Sequence, residues 1–88
     1  MEKKEVTIMN RHGLHTRPAT ALVKNATGFK SEINLVYKGI RVNAKSILGL
    51  LVLAIEPGAK VTIEANGQDE KEAIENIVVL VENKFDME

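Results

Sequence analysis

Cysteine is absent from the 88 residues, so neither a disulfide nor a thiolate metal site can hold this chain together. That absence fits a reducing compartment, and a cytoplasmic location is expected. One Tyr and two Phe leave few flat surfaces on which unpaired bases could stack. Net charge is lacking too, with 12 Lys/Arg against 12 Asp/Glu, so no general pull toward a nucleic-acid backbone exists. No stretch approaches the roughly 20 apolar residues of a membrane span, and Met1-Glu2-Lys3-Lys4 leads into no signal-like apolar stretch. Neither nucleic-acid binding nor direct membrane insertion is expected.

What is present suffices for one domain spanning residues 1–88, because this length leaves no room for a second core. The charges are segregated. Residues 1–46 carry nine Lys/Arg against three Glu, and residues 47–88 carry three Lys against nine acids. A basic half of this kind suits an acidic partner surface.

Hydrophobic periodicity orders the elements. Glu5 to Met9 alternates and predicts a strand, and Thr16 to Thr27 spaces Ala19, Leu22, Val23 and Ala26 along one helical face. Pro18 suits the first turn of that helix, and Gly28 its stop. Glu32 to Tyr37 and Ile40 to Asn43 flank the two-residue loop Lys38-Gly39 and predict a hairpin. Residues 47–55 are apolar apart from Gly49. Their periodicity suits a strand or a helix, and Ser46 as N-cap with Pro57-Gly58 behind favours the helix. Within it Leu50, Leu53 and Ala54 are expected to point inward, leaving Ile47, Leu48 and Leu51 toward solvent as a partner surface. A fully buried helix is the alternative. Lys60 to Ala65 alternates again. Asp69 with Glu72 then forms a capping-box variant before a helix whose apolar face is Ile74, Ile77, Val78, Val81 and Phe85. The order β-α-β-β-α-β-α packs most economically as an α+β domain, an antiparallel sheet with helices on one face.

The chemistry concentrates in Gly13-Leu14-His15-Thr16-Arg17-Pro18-Ala19. An imidazole stands at the mouth of a helix whose first-turn amides lack intrahelical partners, a natural cradle for an anion such as phosphate. Arg17 adds a permanent charge and a planar donor fork, and histidine is a recognised covalent carrier. On local pattern alone, His15 as a mere cap and Arg17 as a surface cation remain the alternative. His12 and His15 raise a metal reading, but no nearby Asp, Glu or Cys completes a zinc set, so neither metal nor cofactor is expected. Ser46 is accounted for structurally as a cap.

Gly-Leu-His-x-Arg-Pro-Ala, here Gly13 to Ala19, resembles the active-site signature of the HPr family of the bacterial phosphotransferase system. A second resemblance, Asn43-Ala44-Lys45-Ser46-Ile47-Leu48-Gly49-Leu50, lies at the separation that family has. The resemblance implies an open-faced β-sandwich, with three helices on one side of a four-stranded antiparallel sheet. It implies a phosphocarrier rather than an enzyme: His15 accepts phosphate through Nδ1 from phospho-Enzyme I, and Arg17 steadies it. An Enzyme II A domain then receives the group in sugar uptake. It also implies a monomer, docking through Thr16, Thr20, Ala21 and Lys24 together with Ile47, Leu48 and Leu51. Phosphorylation of Ser46 by an HPr kinase/phosphorylase, and contact with a transcriptional regulator, belong to the same implication. Thr16 departs from the commoner Ala, Leu51 to Gly58 departs from the commoner small residues, and the ending Lys84 to Glu88 resembles nitrogen-related relatives. A regulatory, nitrogen-related carrier is therefore an alternative, as is a signalling module that only binds partners.

Overall fold

The computed structural model describes residues 1–87. Strand β1 covers Glu2–Thr7, β2 Glu32–Tyr37, β3 Ile40–Asn43 and β4 Lys60–Asn66. Between and after them lie helices α1 (Thr16–Thr27), α2 (Ile47–Val52) and α3 (Glu70–Glu82). The strands form one antiparallel sheet in the order β1-β4-β2-β3. This is the expected open-faced α+β sandwich with its helices on one side.

Register explains the two faces. Val6 lies opposite Val61, Ile33 opposite Ala65 and Leu35 opposite Ile63, and all six are buried beneath the helices. With a side-chain period of two, Lys3, Glu5, Thr62 and Glu64 must then face the other side. There Arg41 of β3 reaches across β2 to Glu64 of β4, Nε donating to Oε1 at 2.8 Å and Nη2 to Oε2 at 3.3 Å. The guanidinium bonded to it holds the Glu64 carboxyl below its ordinary range. Helix α3 lies on β1 and β4 and contributes Ala73, Ile74, Ile77 and Val81 to the core. Helix α1 contributes Ala19, Leu22 and Ala26 and packs on α2 and α3.

Four expectations need correction. The first strand begins at Glu2 and ends at Thr7, although Ile8 extends the pairing: its N–H donates to Ala59 O at 2.9 Å and its carbonyl accepts from Gly58 N at 2.7 Å. Asp69 makes no capping bond to α3. Its carboxylate accepts instead from the backbone N–H groups of Lys30 and Ser31 and from the Ser31 hydroxyl, and Glu70 accepts from Gly67 N at 3.0 Å. Phe85 is not on the last helix, which ends at Glu82. It enters the core through a left-handed turn in which Lys84, Phe85 and Asp86 all have positive φ. Finally, α2 ends at Val52, and Ala54 at φ 50 turns outward while Leu50 and Ile55 supply the buried contacts. Among the described residues no helix is long and apolar enough to cross a membrane.

Candidate functional site

The site is set by a loop pinned at both ends of residues 10–14. Asn10 is buried and its Nδ2 donates to Lys84 O at 2.9 Å, while Gly13 N donates back to Asn10 O at 2.9 Å. Leu14 inserts its side chain into the core, and its N–H donates to Ile55 O at 3.0 Å. Those anchors deliver His15 in extended backbone, φ −82 and ψ −170, as the N-cap of α1. Its carbonyl accepts from Ala19 N at 2.9 Å.

Because the His15 side chain makes no capping bond, it does not use the donors it stands beside. The amides of Thr16 and Arg17 lie in the first turn, where no helix carbonyl can reach them, and Pro18 has no N–H to leave unpaired. No acidic side chain occupies that turn, so nothing on the helix competes for an incoming anion there. The ring is half-buried and, among the described residues, no hydrogen bond or ion pair engages it. An imidazole in that state keeps a lone pair for bond formation. Arg17, exposed, shares a cleft of about 160 Å³ with His15, His12 and Met87. A second cleft of about 350 Å³ places His12 and His15 against Leu51, Glu56 and Pro57.

Around this centre the expected docking residues divide by exposure. Thr16, Lys24 and Leu48 are exposed, Leu48 at 73 %, whereas Thr20, Ala21, Ile47 and Leu51 are half-buried. Thr20 Oγ1 donates to Thr16 O at 2.8 Å, and its hydroxyl is thereby tied to its own helix. Helices α1 and α2 pack together, so the two halves of the patch adjoin. Val52, 80 % exposed, extends it and was not foreseen. The Lys45 Nζ donates to Phe29 O at 2.8 Å, just beyond the C-terminal end of α1. Ser46 caps α2 as expected, its Oγ accepting from Gly49 N at 3.2 Å. Met87 and Glu56 carry no local signal that joins them to His15. The C-terminal turn and the α2–β4 loop bring them there. Among the described residues no group of three or more His, Asp or Glu side chains could hold a metal.

Comparison with known proteins gives a consistent answer. A family model described as the PTS HPr component phosphorylation site matches residues 2–83. The chain is 44% identical over 81 residues to the phosphocarrier protein HPr of Buchnera aphidicola, covering 92% of this chain and 95% of that one. The crystal structure of HPr-C-His from Thermoanaerobacter tengcongensis superposes with a TM-score of 0.96 at 42% identity, over 100% of this chain and 99% of that one. An HPr dimer from the same organism matches with a TM-score of 0.78 at 42% identity, over 97% of this chain and 98% of the other.

Proposed function

This chain belongs to the HPr family of phosphotransferase-system phosphocarriers, and from that premise we propose that His15 accepts a phosphoryl group from phospho-Enzyme I and hands it to an Enzyme II A domain in sugar uptake. The observation that carries this reading is an imidazole at the N-terminus of α1 that, among the described residues, takes no hydrogen bond or ion pair, beside first-turn amides that have no helix partner. The Nδ1 lone pair forms the N–P bond as the donor's bond to phosphorus breaks, and the electron pair of the broken bond returns to the donor. In this reading the Thr16 and Arg17 amides and the Arg17 guanidinium take the phosphoryl oxygens, and the positive helix end favours the added charge. The reverse of the same step passes the group on. The protein is thus a carrier that its partners act upon, with no turnover of its own.

The exposed surface of α1 and α2 is the docking face in this reading. Leu48, with Ile47 and Leu51 beside it, supplies apolar contact, and Lys24 steers an acidic rim. Such contacts are transient and salt-sensitive, as a shuttle requires. A monomer leaves this face open to successive partners. Ser46 is the proposed regulatory site for an HPr kinase/phosphorylase, and a transcriptional regulator is a further partner of the phosphorylated form. The sequence ending Lys84 to Glu88 keeps a nitrogen-related branch as the alternative destination of the phosphate.

Incubation with phosphoenolpyruvate and Enzyme I, followed by intact mass, tests the central step. One acid-labile phosphate is expected on the wild type and none on His15→Ala. A wild type that gains no phosphate, or a variant that gains it equally, removes the proposal.

A further inference from the structure

His12 stands next to the proposed phosphoryl acceptor and has no part in the reading above. Its ring meets the His15 ring edge to face, with centroids 5.7 Å apart and planes at 87°. The pair is held by the turn between them. Gly13 has φ 70, and a Cβ there would collide with the Ile55 carbonyl oxygen, so the α2–β4 loop backs the turn directly. His12 itself is exposed to solvent. Both rings line each of the two clefts at the site, one shared with Arg17 and the other with Glu56.

We propose that His12 is a phosphoryl-binding residue, whose imidazolium stabilises the phosphorylated form of this carrier and makes its phosphate affinity pH-dependent. The proposal rests on His15 as the acceptor. A phosphoryl group adds about two negative charges at neutral pH, and it does so beside a side chain that can gain or lose one positive charge in that range. A proton on His12 therefore attracts the dianion that only the phosphorylated carrier possesses. By linkage the two events favour each other, so falling pH shifts phosphate onto the protein. Among the described residues, the titratable and charged groups facing His12 are His15 at the N-cap of α1, Arg17 from α1 and Glu56 from the α2–β4 loop, with Arg11 preceding it in its own loop. The C-terminal turn presents uncharged Met87. All of these remain in a His12→Asn variant and cancel in a comparison with it.

That comparison is an exchange equilibrium. Phosphorylated wild type and unphosphorylated His12→Asn are mixed with a catalytic amount of Enzyme I and no phosphoenolpyruvate. Enzyme I breaks the N–P bond of one carrier and forms that of the other until the distribution is constant, and intact mass reads the two proteins separately. The wild type's share of phosphate relative to the variant is expected to rise about fivefold between about pH 8.5 and about pH 6. His12→Gln is expected to behave as His12→Asn does, which guards against a fault peculiar to one variant. A ratio that stays flat over this range with both variants overturns the role of His12. His15→Ala carried in parallel distinguishes the other failure. Phosphate on that variant, or no phosphate on the wild type, overturns the acceptor assignment, whereas loading on His15 with a flat ratio overturns His12 alone.

Discussion

Asp69 is joined to Ser31 twice: Oδ1 accepts from the Ser31 backbone N–H at 2.9 Å and from the Ser31 hydroxyl, while Oδ2 accepts from the neighbouring Lys30 N–H at 2.8 Å. These bonds fasten the segment leading into β2 to the residue just before α3. The hydroxyl first, and then the Lys30 amide, hold the Asp69 carboxyl at about 2, below its usual 3.8.

A carboxyl whose folded pKa is lowered stabilises the fold above its unfolded pKa, and the contribution disappears as pH falls through the folded value. The window here runs from 3.8 down to about 2. Asp69→Asn presents an amide donor toward groups that are themselves donors. It is expected to lower the thermal midpoint by several degrees at neutral pH, with the gap to wild type closing as both approach the bottom of that window. Thermal unfolding followed by circular dichroism at a series of pH values checks this. A gap of constant size down to the lower limit would show that the carboxylate's charge is not what matters.

The turn at Gly13 makes a second prediction, because two requirements coincide there. Its φ of 70 belongs to glycine, and any Cβ would drive into the Ile55 carbonyl oxygen. Neither obstacle is a flexible side chain, so Gly13→Ala must displace the loop that carries His15. A loss of about 3 kcal/mol is expected from backbone strain and steric displacement together. Urea denaturation measures it. A loss below about 1 kcal/mol would mean that the 54–57 loop yields readily.

Much of the molecule could be read along the chain because its signals are local. The α1 bounds, the hairpin around Lys38-Gly39, and Ser46 as a cap each follow from residues within one or two turns of the feature itself. What escaped is decided by partners far away in sequence. Asp69 followed by Glu72 looks like a cap, yet Ser31 and Lys30, nearly forty positions earlier, offer three donors and win the carboxylate. Phe85 keeps the spacing of the α3 face, but the helix closes at Glu82, and a run of left-handed residues, tethered through Lys84 O to Asn10, brings it inward. At the candidate site His15 and Arg17 were legible because helix-mouth chemistry is compact in sequence. Glu56 and Met87 were not, since only the fold places them beside His15, whereas Val52 stands at i+4 from Leu48 on α2 and that local spacing went unread.

The exposure of Leu48 separates docking from stability. At 73 % exposure it contributes little to the core, whereas Ile47 is half-buried and packs against it. Leu48→Glu is therefore expected to change stability by no more than about 0.5 kcal/mol, while slowing phosphoryl acceptance from Enzyme I roughly tenfold at subsaturating carrier. Ile47→Glu is expected to lower both. Stopped-flow or quench-flow phosphorylation, paired with denaturant curves, makes the comparison. Equal acceptance rates for Leu48→Glu and wild type would place the docking face elsewhere.

Ser46 permits charge and structure to be tested apart. Its Oγ accepts from Gly49 N at 3.2 Å, and among N-cap residues Asp serves about as well as Ser while Ala does not. Ser46→Asp therefore keeps the cap and adds a negative charge beside the proposed docking face. Ser46→Ala removes the cap, at a cost of about 1 kcal/mol, and adds no charge. If the proposed phosphorylation of Ser46 acts by repelling acidic partners, Ser46→Asp should slow acceptance roughly tenfold and lose part of that effect at high salt, while Ser46→Ala stays near wild type. If instead it acts by loosening α2, the order of the two variants reverses, and salt makes no difference. Measuring initial rates of phosphoryl acceptance at low and high ionic strength therefore identifies which physical route the serine uses.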